Sequence, residues 1–378
     1  MGMAYLDNSA TTRVSEQVAA YAVELMCETF GNPASVHSLG LFAEQAVEKA
    51  RGTICAFLSC EKEEFYFTSG GTEGNNLAIL GGAMAMKRRG NKVITTAVEH
   101  PSVLQAVEEL KNRGFETVIL PVEKNGVVSL SALEDAIDEQ TVLVSMMLVN
   151  NETGAIQPVE KIKEIIKRKN SPALIHTDCV QAFGKYPFSL RSLGVDLATV
   201  SGHKVHAPKG VGGIYIRKGL RILPQTYGGG QEKGVRSGTV AVSQIGAFGK
   251  AVEQLPKGNT GVKQAEQLRE QLLSGISHIP DLVLNSSPEG SPYIINCSVP
   301  GIPSEVMIRA LEAEQVYVSG GSACAKGGRS HVLLAQGVPH KCVDSALRIS
   351  FSNHTTTEEI HQFINAFTKA CGLLHRKR

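Results

Sequence analysis

A chain of 378 residues with 42% hydrophobic and 20% charged side chains has the make-up of a globular protein with a large core, which excludes fibrous, coiled-coil and disordered readings and a single small binding module. Lys and Arg number 38 against 36 Asp and Glu, a net charge of +2 that is too balanced for nucleic-acid binding, although 375–378 (HRKR) is locally basic. The N-terminus has no basic region leading into an apolar stretch and no apolar run reaches about 18 residues, so a cytoplasmic protein without membrane contact is expected.

In chain order, short β-rich runs alternate with helical patterns. Strands are expected at 65–68, 93–96, 118–120, 142–149, 174–177 and 197–200, with 212–216 as a strand of opposite direction. Between them, 102–113 places Val103, Val107 and Leu110 on one helical face, and 159–169 does the same with Ile162, Ile165 and Ile166. This alternation predicts a mostly parallel, doubly wound α/β sheet with its ligand site at the carboxyl ends of the strands. Near 255–259 (LPKGN) the pattern changes, and a helix at 262–277, short strands around 293–299 and 317–319 and two more helices follow. A domain boundary is placed there, and no internal repeat or low-complexity segment is found.

Eight cysteines stand at 27, 55, 60, 179, 297, 324, 342 and 371 without a C-x-x-C or zinc-like spacing, so separate reduced thiols and no metal are expected. Most sit in apolar surroundings. Cys324 differs: it lies in SGGSACAKGGRS (319–330), a segment of small residues with Lys326 and Arg329 nearby, conditions that favour a thiolate nucleophile.

Polar residues of unusual type follow the strands. No dinucleotide or P-loop motif is present. After the first strand, TSGGTEGNN (68–76) opens a helix whose free N–H groups and dipole suit a phosphate, while a plain helix cap with a tight turn remains the alternative. Asp178 ends an apolar run, and Lys204 follows the next strand within SGHK. His100 and Asn151 follow two others. Pyridoxal phosphate requires this set: a lysine for its aldehyde, an acid for its ring nitrogen, an anchor for its phosphate, an imidazole to stack and move protons, and an amide for its phenolic oxygen.

These residues sit in motifs that resemble the cysteine desulfurases of the nitrogen-fixation and iron–sulfur-cluster type, within the class V aminotransferase group of fold type I pyridoxal phosphate enzymes. The resemblance runs over YLDNSATT (5–12), GNPASVHS (31–38), TSGGTEGNN, EHPSV (99–103), VNNETG (149–154), HTDCVQ (176–181), SGHKVHAPKGVGG (201–213), GGGQEKGVRSGT (228–239), SGGSACAKGG and ALRISF (346–351). It implies a large cofactor-binding domain at 13–257 with a seven-stranded sheet, and a small α+β domain of 1–12 and 258–378 that carries the cysteine loop. It further implies that Lys204 is the Schiff-base lysine, Asp178 the pyridinium partner and His100 the stacking base, with Asn151 and Gln181 at the phenolic oxygen. Gly71, Thr72, Ser201 and His203 would bind the phosphate, and Thr239 the phosphate of the neighbouring subunit in a homodimer. Asn32 and Arg348 would hold the carboxylate of L-cysteine, and Cys324 would take its sulfur as a persulfide, leaving L-alanine.

Set against the resemblance, the segment from Cys324 to Val332 reads as shorter than in housekeeping iron–sulfur members, and their longer tail is not expected here. The expected acceptor is therefore a scaffold protein or a tRNA-thiolation enzyme. Selenocysteine lyase and a class V aminotransferase are the alternatives, and a transaminase would not need Cys324. Cys179 stands where alanine is expected and reads as a small core residue.

Overall fold

A computed structural model describes residues 2–320 and 328–374. Among these, the strands in chain order are β1 (Ala4–Tyr5), β2 (Phe65–Thr68), β3 (Lys92–Thr96), β4 (Glu116–Leu120), β5 (Thr141–Ser145), β6 (Leu174–Asp178), β7 (Leu197–Ser201), β8 (Gly212–Ile216), β9 (Val283–Leu284), β10 (Ile294–Ser298), β11 (Val316–Tyr317) and β12 (Ala346–Ser350). One seven-stranded sheet runs in the order β2-β8-β7-β6-β5-β3-β4. All of it is parallel except β8, which pairs antiparallel with both β2 and β7, as the sequence suggested.

Strands β5 to β8 are buried along their whole length, the signature of a sheet covered on both faces, and their near-continuous apolar runs follow from that. One cover includes Pro101–Asn112, whose Val103, Val107 and Leu110 pack over Val142 and Leu174. The other includes Val159–Arg168, with Ile162 and Ile165 inward and its lysines and glutamates outward. Helices Glu16–Cys27 and Ser38–Leu58 pack on Val242–Glu253 at close range, because a Cβ on Gly249 would stand 2.6 Å from Ala50 Cα. Gly213 is required in β8 for a similar reason: the Phe65 ring of β2 occupies the space of any side chain there.

The expected strand at 142–149 is shorter than its apolar run. Its ladder ends at Ser145, since the Met147 N–H is taken by the buried Glu99 carboxyl at 3.0 Å, though Met146 and Leu148 still bond to His176 O and Asp178 O. Beyond residue 258, an antiparallel sheet β12-β10-β9 and β11, paired in parallel with the N-terminal β1, pack with the helices Thr260–Ile276, Ser304–Ala313 and Thr357–Leu373. Two short helices, His331–Ala335 and His340–Val343, add to the pattern expected there. A single apolar cluster reaches from Val18 through Ile94 and Phe248 to Phe367, so both parts of the chain share one core.

Candidate active site

Because the strands are parallel, the residues that follow β2, β3, β5, β6 and β7 meet at one sheet edge. They frame a cavity of about 300 Å³. Its wall brings together Gly71, Thr72, His100, Asn151, Asp178, Gln181, Ser201, His203, Lys204 and Arg348. Lys204 ends a tight turn after β7, is buried, and donates to the backbone oxygens of Ser9 and, at 2.8 Å, Ala10. Segment 7–12 thus lies across the lysine. It is fixed by Thr12 N–H to His203 O at 2.9 Å, Gln181 Nε2 to Ser9 O at 3.0 Å and Asp7 to Arg348 at 2.8 Å.

Asp178 ends β6. One carboxylate oxygen accepts the Val180 N–H at 2.9 Å and the other the Asn75 amide at 2.7 Å. The same amide donates to Ser102 Oγ at 2.9 Å, which lies 2.7 Å from His100 Nδ1. The Ser102 N–H also points at Nδ1, at 3.1 Å, because His100 caps the helix Pro101–Asn112. Nδ1 is therefore an acceptor, and Nε2 carries the proton of the neutral ring. Burial, with Lys204 and His331 nearby, holds His100 below the ordinary histidine value against the pull of Asp178. Burial and then Lys204 push His203 down further, to about 3. Burial thus favours the neutral form of both rings.

Buried polar side-chain atoms without a partner among the described residues gather here: Ser9 Oγ, Asn75 Oδ1, Gln181 Oε1, Ser201 Oγ and Arg348 Nε all belong to the cavity wall. Each such atom costs about 1–3 kcal/mol when left unbonded, so the cluster calls for a polar guest. Ser201 Oγ stands by the start of helix Gly71–Asn76, where a Cβ on Gly70 would come within 3.9 Å of it, and a side chain at Gly71 would collide with Val180 Cγ2 at 2.8 Å. First-turn N–H groups, a hydroxyl and an open glycine backbone suit a phosphate, while Asp178 and Lys204 suit a pyridine ring bearing an aldehyde. The residues present fit pyridoxal 5'-phosphate.

Asn75 and Ser102 were not singled out from sequence. Asn75 lies three and four residues after Thr72 and Gly71 on one helix, hence on their face, and that spacing was the available signal. Ser102 carried none beyond following His100 and Pro101. Two expected site residues lie elsewhere: the Asn32 side chain is exposed and accepts the Ala34 N–H at 3.0 Å, and Thr239 is exposed. Cys324 lies outside the described residues. The chain on its far side is anchored to the cavity, because Ser330 Oγ donates to the Glu152 carboxyl and His331 Nε2 meets Glu99 O at 3.0 Å. Those partners are the neighbours of Asn151 and His100. On the near side, Ser319 exchanges two backbone bonds with Arg348 at 2.7 and 3.2 Å, and Arg348 Nη1 donates to Asn151 O at 3.0 Å. Burial raises both Glu152 and Glu99, the latter to about 8.

Sheet order and site together define an α/β enzyme of fold type I, a class built around pyridoxal phosphate. The chain belongs to the aminotransferase class-V family, whose profile matches residues 4–363 and whose members depend on that cofactor. It is 40% identical over 367 residues to cysteine desulfurase IscS of Methanosarcina thermophila, covering 95% of this chain and 90% of that protein. It is also 40% identical over 380 residues to cysteine desulfurase IscS of Serratia proteamaculans, covering 98% and 93%. A solved NifS-like protein superposes with a TM-score of 0.92 at 39% identity, covering 99% of this chain and 100% of that one. Among the described residues no helix is long and apolar enough to cross a membrane.

Proposed function

We propose that this chain is a pyridoxal phosphate-dependent cysteine desulfurase, converting L-cysteine to L-alanine and retaining the sulfur as a persulfide. The observation that carries the reading is Lys204 and Asp178 at adjacent strand ends of a cavity ringed by unsatisfied polar atoms, in a chain so similar to named desulfurases over nearly its whole length. The same relatives make the lyase and transaminase alternatives less favoured.

When bound, the cofactor supplies an electron sink for the bond broken at the substrate α-carbon. The protein groups do the rest. Lys204 would hold the aldehyde and Asp178 would keep the ring nitrogen charged, with Asn75 fixing the Asp178 carboxylate. Gly71, Thr72, Ser201 and His203 would take the phosphate, with Thr239 reaching it from the partner subunit of a homodimer. Asn151 and Gln181 would meet the phenolic oxygen. His100 presents Nε2 to the reacting groups, its Nδ1 being tied to the helix start. Arg348, with Nε unsatisfied, and Asn32 receive the substrate carboxylate. The Cys324 thiolate attacks the substrate sulfur: an S–S bond forms, the C–S bond breaks, and the carbon takes a proton to become alanine. The division into 13–257 against 1–12 and 258–378, a cytoplasmic location, and delivery of sulfur to iron–sulfur or tRNA-thiolation acceptors complete the reading.

The test is sulfide and alanine release from L-cysteine by three proteins. Wild type should be yellow and active. Lys204→Ala should lose the borohydride-sensitive visible absorbance and all turnover. Cys324→Ser should stay yellow and still change its spectrum with L-cysteine, but lose at least about a hundredfold in rate, roughly 2.7 kcal/mol of barrier lowering. A loss below about threefold in Cys324→Ser would remove that residue as sulfur acceptor.

A further inference from the structure

Two cysteines that their spacing seemed to keep apart meet in the fold. Helix Ser38–Leu58 ends with Ser59 in the left-handed region, at φ 59°, and the Cys60 N–H closes back onto Cys55 O at 3.0 Å. This six-to-one closure defines a Schellman cap, which stacks the side chains of its first and last residues. That contact is usually apolar, and here both members are thiols. Cys55 is buried, with Sγ 3.5 Å from Glu61 O, while Cys60 is half-buried. Pairing with Cys60, then Arg51 one turn earlier and Lys62, lowers Cys55 against burial and Glu48, whereas pairing with Cys55, then burial, Glu64 and Glu61, raises Cys60. The first proton of the pair therefore leaves Cys55, and Cys60 keeps its own.

We propose that Cys55 and Cys60 are a dithiol site that exchanges with small-molecule disulfides to form a reversible disulfide across the helix cap. The site is independent of the catalytic reading. In the first step the more accessible Cys60 passes its proton to the Cys55 thiolate while its sulfur attacks the small disulfide RS–SR and expels one thiolate, which takes up a proton. In the second, the Cys55 sulfur attacks the Cys60 sulfur, loses its own proton and expels the second thiol. Two cysteines are oxidised by two electrons, and one RS–SR is reduced to two RSH. The linked cap lies one turn from Arg51, which holds Glu232 with two N–H bonds at 2.9 and 3.0 Å and Phe65 O at 2.7 Å. Oxidation would thus fasten the helix end that supports the 228–239 segment.

The experiment equilibrates the holoenzyme with reduced and oxidised glutathione, quenches it in acid and maps the peptides by mass. The expected result is a Cys55–Cys60 linked peptide, two hydrogens lighter than the dithiol form, that returns to the reduced form with excess reduced glutathione. Cys55→Ser should instead trap glutathione on Cys60. At a given glutathione ratio the linked fraction should correspond to an equilibrium constant at least about tenfold larger in the folded enzyme than in urea, since only the fold stacks the two sulfurs. Absence of the linked peptide under pure oxidised glutathione, or equal linkage in urea and in the folded enzyme, would overturn the proposal.

Discussion

Lys185 shows how far a single residue can depart from what its neighbours in sequence suggest. In GKYP it reads as a solvated loop cation. Gly184, at φ 75°, turns the chain so that its own position abuts Val205 and Leu255, and Lys185 is carried inward with Nζ unbonded among the described residues. Burial, then Lys204 and Arg348, lower it to about 7. The folded chain therefore holds fewer protons than the unfolded one between about pH 7 and the ordinary value of 10.5, so this group's destabilisation is full below about pH 7 and disappears as pH rises through that window. Lys185→Met should raise stability at pH 6 by an amount on the order of a few kcal/mol and flatten its rise toward alkaline pH. Urea melts at several pH values would decide it, and an unchanged midpoint at pH 6 would contradict the argument. The residues carrying unusual chemistry were legible in the sequence: Asp178, Lys204 and His100 stand out because ionisable groups directly follow apolar runs. Asn75, Ser102 and Lys185 were not, since Asn75 acts through contacts 27 and 103 residues away, Ser102 is joined to the site through Asn75, and Lys185 is carried inward by a backbone turn.

At the scale of elements, the strand order came from the fold alone. Strand positions and their mostly parallel direction were legible because fully buried strands leave continuous apolar runs, and β8 was expected as a strand of opposite direction. The end of β5 was not, since it depends on a side chain from another loop, Glu99, replacing a ladder bond. Equally hidden was the short helix His331–Ala335, five residues too few to show a periodicity. Its Ser330 cap bonds the Leu333 N–H at 3.1 Å while its hydroxyl proton goes to Glu152. The hydroxyl therefore joins the C-terminal side of the 319–330 segment to the strand-end loop that carries Asn151. Ser330→Ala should cost about 1 kcal/mol of stability through the lost cap. It should also slow alanine formation several-fold, leaving the visible cofactor band unchanged, because the cofactor's own contacts are untouched. A fall in the band equal to the fall in rate would mean that Ser330 acts on the pocket as a whole, not on the segment bearing Cys324.

For the whole molecule, several exposed apolar side chains flank Asn32 in sequence: Phe30 is 65% exposed, Leu41 50% and Phe42 53%. An apolar surface of this kind is normally covered by a partner. Asn32 and Thr239, both proposed to contact cofactor or substrate, are exposed in the single chain. A two-fold dimer would cover the first feature and bring the second into use. Sedimentation should give a dimer at micromolar concentration, and Phe42→Asp should yield monomers that bind the cofactor at least about tenfold more weakly, corresponding to roughly 1.4 kcal/mol. Monomeric wild type with full cofactor occupancy would refute the arrangement. The strap over Lys204 adds an order in time. Ala4 and Tyr5 pair with Val316 and Tyr317, and Asn8 and Ser9 are held by Ser350, more than three hundred residues later. During synthesis from the N-terminus the large sheet can be complete while Ser350 is still untranslated, so the strap over its lysine is held only by its bonds to Gln181, His203 and Lys204 until β12 emerges. Fastening the strap at both ends therefore follows completion of the large sheet, and a polypeptide lacking β12 would keep the whole sheet with only a half-tethered roof over its reactive amine.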